Sequence, residues 1–105
     1  MKIMISQPMR GKTNEQIRKE REMLIHQLEL NEYEVVDTII NEEPPKNIDE
    51  AIYYLSKSIE FIGKVDAIYF MKGWEKARGC KIEHEVAVEY GKQVFYENQE
   101  VKNEK

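Results

Sequence analysis

The feature that most constrains this chain is an alternation of short β-compatible runs with longer helical ones. Met1–Ser6 is apolar and strand-like, and Gln7–Lys12, with Pro8 and Gly11, reads as a loop. A helix follows from Asn14 to about Glu32. Thr13 is its N-cap, Gln16 completes a capping box, and Ile17, Met23, Leu24, Ile25 and Leu28 form its apolar face. Tyr33–Ile40 is a second strand, and Asn41–Lys46 with Pro44-Pro45 a loop. Asn47 is positioned to cap a second helix, with Glu50 at the matching position. Ile48, Ile52, Leu55, Ile59 and Ile62 recur at helical spacing down to Gly63. Asp66–Met71 is a third strand, Lys72–Arg78 a loop, Gly79–Tyr90 a third helix closed by Gly91, and Gln93–Tyr96 a fourth strand.

Strands that alternate with helices predict a parallel sheet covered on both faces, with right-handed crossovers. The expected class is α/β: a small flavodoxin-like sheet of about four strands, order 2-1-3-4. At 105 residues the chain holds one domain, here residues 1–96, followed by a polar tail over 97–105. In such sheets ligands bind beyond the carboxyl ends of the strands, where the winding reverses. That point lies between strands one and three, and the Ser6–Lys12 and Lys72–Arg78 loops flank it.

Composition removes several function classes. Sixteen basic and twenty acidic side chains give a net charge of −4. A protein that coats nucleic-acid polymers needs the opposite excess. One cysteine, Cys80, excludes an internal disulfide and a four-cysteine metal site. His26 and His84 are far apart, with no ligand-type pattern around either, so no metal is expected. The longest apolar runs are about five residues, too short to span a membrane. The start MKIMIS enters a strand directly, so no signal peptide and a reducing cytoplasm are expected.

Glu83 is the sharpest local signal. On a wheel of roughly 100° per residue, Ile82, Val86, Ala87 and Tyr90 form the third helix's apolar stripe, and Glu83 falls inside it. An ionised carboxylate there is costly unless compensated, and its place early in the helix suits an anion. It is a candidate nucleophile or general base. The competing reading is a glutamate that snorkels out or pairs with Arg10, Lys72 or Arg78. Gly79, one turn earlier on the same side, allows a ligand to approach the helix start closely. It equally serves as a plain loop-to-helix glycine.

Ser6, Gln7, Met9, Arg10 and Gly11 follow strand one and precede a helix N-terminus. Free N–H groups, a glycine and an arginine suit a phosphate or carboxylate, although an ordinary turn with a solvated arginine has the same composition. Neither GxxxxGK[ST] nor GxGxxG is present, and no cofactor is expected. Asp66, one of three aspartates, opens strand three. It either caps the preceding helix end or bonds a nearby loop. Gly73-Trp74 occupies the second loop, and Trp74, the single tryptophan, stacks on a base or lies as a lid over the core edge. Cys80 reads as a small half-buried side chain. Val88, opposite the apolar stripe and near His84, reads as a contact between copies.

Together, Ser6-x-Pro8-Met9-Arg10-Gly11 and Gly73-Trp74-Glu75-x-x-x-Gly79-x-x-x-Glu83-x-x-x-Ala87-x-x-x-Gly91 resemble the nucleoside 2-deoxyribosyltransferase-like superfamily. The chain is most similar to a branch of small bacterial and phage proteins within it. The resemblance covers nearly the whole chain. It implies deoxyribosyl transfer or nucleotide N-glycosidase chemistry, in which a helix glutamate attacks the anomeric carbon and a covalent sugar ester forms. By position it implies that Glu83 is the nucleophile and that Asp66 acts on the base side. Arg10 and Gly11 would hold the 5′ end, with Gly79 beside the sugar or phosphate. Two positions depart from the pattern: Met4 stands where relatives carry a tyrosine, and Ala77 where they carry a serine or aspartate. Both departures remove hydrogen-bonding groups. The implied partner is a small nucleoside or nucleotide, and the implied assembly a homo-oligomer. A module that binds a nucleotide or nucleotide-derived signal without cleaving it is the alternative. A pure interaction domain is a third reading, which the placement of Glu83 argues against.

Overall fold

The computed structural model of the chain describes residues 1–38 and 42–97. Four parallel strands form one sheet: β1 (Lys2–Ser6), β2 (Glu34–Val35), β3 (Ala67–Phe70) and β4 (Gln93–Tyr96), in the order β2-β1-β3-β4. This is the expected order. The apolar runs of β1 and β3 have no polar alternation, so they suit the centre, where both faces are covered. Ile3, Met4 and Ile5 are buried accordingly, as are Ala67, Ile68 and Phe70.

Helix α1 (Asn14–Leu30) carries the predicted capping box. The Gln16 N–H donates to Thr13 Oγ1, and the Thr13 N–H donates to Gln16 Oε1. It covers one face of the sheet, where Leu24 and Leu28 meet Ile3, Ile5, Ala67 and Met71. Helices α2 (Glu50–Ile62) and α3 (Arg78–Glu89) contribute Ile62 and Ala87 to the core on the other face, against Met4, Ile68 and Phe70. The strict alternation of β1 and β3 side chains separates the two cores.

Three local expectations are corrected. The second strand ends at Val35, well short of Ile40, and Ile39, Ile40 and Asn41 lie outside the described residues. The chain departs because Thr38 serves a buried cation: Arg21, on α1, donates to Thr38 Oγ1 at 2.8 Å and to Gln7 Oε1 at 3.3 Å. A buried guanidinium requires such acceptors. Helix α2 is capped by Asp49 rather than Asn47, its Oδ1 accepting from the Ile52 N–H at 3.1 Å. A carboxylate at that end also meets the positive pole of the helix. Of the apolar series on α2, Ile62 is buried, while Ile52 and Ile59 are exposed.

Helix α3 is rotated from its expected setting. Its buried strip is Cys80, Glu83 and Ala87, whereas Ile82 is 37% and Tyr90 77% exposed. The rotation turns Glu83 fully onto the sheet and lets the small Ala87 side chain pack at the core. Among the described residues no helix is long and apolar enough to cross a membrane.

Candidate functional site

The parallel register sets one row of residues at the carboxyl edge of the sheet: Ser6 on β1, Phe70 on β3 and Tyr96 on β4. Ser6 shares the α2/α3 face with Met4, two positions earlier. Its Oγ donates to Glu83 Oε1 at 2.7 Å, and both groups are buried. Burial pushes the Glu83 carboxyl above its usual range, and the Ser6 hydroxyl opposes that rise by bonding the ionised form. A carboxylate drawn out of water yet held by a buried hydroxyl is poised to change charge or bond to carbon.

Cys80 stands one turn before Glu83. Burial pushes its thiol up to about 11, the Ser6 hydroxyl acts against this, and the Glu83 charge adds to it. Cys80 is therefore a protonated thiol at neutral pH, not a nucleophile. Sequence reasoning missed the pairing of Ser6 with Glu83. The available signal was strand alternation, which puts Ser6 on the face of β1 that Met4 occupies.

The neighbouring positions divide sharply. Glycines at positive φ shape both loops: Gly11 at +81° and Gly73 at +93°. A Cβ on Gly73 would lie 3.8 Å from Pro8 Cγ, so the loop after β3 packs on the loop after β1. Met9, Arg10 and Gly11 are exposed at the tip of the first loop, closed by the Lys12 N–H donating to the Met9 carbonyl. A Cβ on Gly79 would meet nothing within 4 Å. The Ala77 N-cap supplies no side-chain hydrogen bond to α3. The first turn of α3 thus has open space beside it and N–H groups without a side-chain cap.

Three predicted site residues are elsewhere or otherwise engaged. Asp66 precedes β3 at the opposite end of the sheet, where its Oδ2 accepts from the Lys2 N–H at 2.9 Å. Lys2 and Ser6 are separated by on the order of 13 Å of extended strand. Asp66 therefore cannot act beside Glu83, and that expectation is corrected. Gln7 is buried on the α1 side, its amide donating to the Ile17 carbonyl at 2.9 Å and accepting from Arg21. It anchors the loop rather than facing a ligand. Trp74 lies in a short 3-10 turn and stacks on His84 at 4.2 Å, with Phe70 and Tyr96 adjoining. His84 Nε2 is hydrogen-bonded to the Tyr96 hydroxyl. The indole is a lid over the core edge, the second of its two sequence readings.

Two clefts of about 340 and about 320 Å³ include the α1 residues Leu24 and Arg21, respectively, in their linings. Glu83 lines neither, so the site rests on the buried carboxylate and its Ser6 donor rather than on cavity size. Among the described residues no group of three or more His, Cys, Asp or Glu side chains is gathered to hold a metal ion.

No curated protein and no solved structure matches this chain. A family model, described as a domain of unknown function, DUF4406, matches residues 1–96. That span includes β1 through β4, both loops and Glu83, and the chain belongs to the DUF4406 family.

Proposed function

We propose that the protein binds a nucleoside or its 5′-monophosphate at the carboxyl edge of the sheet and cleaves or transfers the glycosidic bond. Glu83 is the nucleophile. The single observation that supports this is a buried glutamate on the sheet-facing strip of α3, held by Ser6 where parallel sheets bind ligands. In the first half of the reaction a Glu83 oxygen bonds to the anomeric carbon as the carbon–nitrogen bond breaks. The bonding pair leaves with the base, which takes a proton from solvent. In the second half water attacks the same carbon, frees Glu83 and gives up a proton; a second base in place of water gives transfer. Gly79 leaves room for the sugar beside the first turn of α3, and Arg10 and Gly11 are the groups for a 5′-phosphate.

The test is incubation with the four deoxynucleoside 5′-monophosphates, followed by chromatography for free base. Release of base supports the proposal. Binding without release favours the second reading, a nucleotide-binding module. The displacement of Asp66 from the site favours that reading, because it removes the carboxyl expected on the base side. Arg10→Ala is expected to weaken monophosphate binding roughly tenfold or more while leaving nucleosides nearly unchanged, since a charge-assisted bond is lost. Calorimetry with both ligand types checks this, and equal weakening would remove Arg10 from phosphate recognition.

A further inference from the structure

Helix α2 is the most apolar of the three helices, yet it buries the fewest residues. Ile52, Leu55, Ile59 and Ile62 follow one another at spacings of three, four and three, and Ile48, just before the Asp49 cap, continues the series. That spacing makes the narrow seam by which one helix packs along another. Of the four, Ile62 alone is buried in the core. Ile52 is 59% and Ile59 37% exposed, although α3 lies alongside. Single exposed hydrophobic side chains are ordinary, whereas a continuous row of them marks a contact surface.

The residues beside the seam indicate what covers it. Ala51, Ser56 and Ser58 flank it, small and uncharged, so a second helix can approach closely. Ser56 already donates to the Tyr53 carbonyl of its own helix at 2.7 Å, so covering it strands no hydroxyl. At helical spacing Glu50 and Lys57 fall on the opposite side of α2, where the Lys57 ammonium lies 5.5 Å from the centre of the Tyr53 ring. A face without charge is compatible with its own copy, because a two-fold axis sets the same patch against itself. Val88 on α3 is also exposed but fails this requirement. Glu85 and Glu89 beside it are exposed too, and self-association there would bring like charges together.

We propose that α2 is the contact between two copies of this chain. The Ile52–Leu55–Ile59 seam packs on the same seam of the second copy about a two-fold axis, with Leu55 and Ser56 nearest that axis. The inference does not rest on the reading of Glu83.

The experiment is sedimentation velocity of the full chain over a wide concentration range, in wild type, Ile52→Glu, Val88→Glu and Ser56→Cys. Wild type is expected at twice the chain mass. Ile52→Glu is expected to weaken the dimer by about a hundredfold or more, because symmetry buries the new charge twice. Ile52 is exposed in the single chain, so the circular dichroism of the variant stays that of wild type. Val88→Glu leaves the dimer in place. Ser56→Cys, which removes no apolar contact, gives a disulfide-linked dimer under mild oxidation, whereas wild type, with Cys80 buried, does not. Loss of the dimer in Ile52→Glu together with the Ser56→Cys link supports the proposal. A monomeric wild type overturns it. So does a dimer that Ile52→Glu leaves intact, that Val88→Glu dissolves, or that Ser56→Cys fails to link.

Discussion

Glu83→Ala abolishes base release, with a loss of at least about a thousandfold in kcat, while the chain keeps its fold. The magnitude follows from the role: removing a nucleophile eliminates the covalent route, and what remains is uncatalysed attack by water in a bound state. Glu83→Gln separates chemistry from packing. It preserves shape and an acceptor for the Ser6 hydroxyl, yet an amide cannot form the sugar ester. The two variants should therefore be equally inactive. Activity retained by either one refutes the assignment.

The same substitution carries a stability signature. Burial raises the Glu83 carboxyl above its unfolded value, so between the two values the folded state binds more protons than the unfolded one. Stability then falls as pH rises through that window and stays lowered above it. Glu83→Gln, which cannot ionise, escapes the loss. It is expected to be more stable than wild type at neutral pH, with a higher Tm. The advantage disappears below the unfolded carboxylate value. Thermal melts across pH check the sign, and a Gln variant less stable than wild type at neutral pH would contradict it.

Phe70→Ala is expected to have the largest effect on stability, a loss of about 3–5 kcal/mol. Phe70 is fully buried in the last position of β3. Its ring centroid lies 5.4 Å from Trp74, 5.1 Å from His84 and 6.1 Å from Tyr96. These three come from the turn after β3, from α3 and from β4, so one truncation opens a cavity that three elements share. A loss of that size is a large part of the total stability of a small domain. Denaturant unfolding followed by the fluorescence of Trp74, the single tryptophan, reports it directly. A loss under about 1 kcal/mol would mean that the cluster collapses to fill the gap. Because Ser6 stands in register with Phe70, the variant also tests whether the aromatic wall holds the carboxyl edge of the sheet in place.

The strand order was legible because central parallel strands are continuous apolar runs, as β1 and β3 are. The α1 cap was legible because Thr13 and Gln16 satisfy each other locally. The cap of α2 was misplaced by two residues because Asn47 and Asp49 carry equivalent side-chain acceptors, and only the course of the chain chooses between them. Strand β2 was overextended because Asp37 and Thr38 sit within a β-branched run. The demand of a buried Arg21 for acceptors, which shortens the strand, is a long-range fact. Glu83 was legible as a charge in an apolar strip. Gln7 was not separable from Ser6 by residue type, although consecutive strand residues point to opposite faces, and the alternation sends Ser6 to Glu83 and Gln7 to α1. Asp66 was misassigned through the resemblance, since a residue that opens a parallel strand stands at the far end from the ligand edge.

The central claim is a covalent bond between Glu83 and the substrate sugar. Its most direct test is intact-mass and peptide mass spectrometry of the protein quenched in acid during incubation with deoxynucleoside monophosphates. A sugar-phosphate adduct is expected on the peptide containing Glu83, absent from Glu83→Gln. Base release with the adduct mapped to another residue, or undiminished in Glu83→Gln, would contradict it.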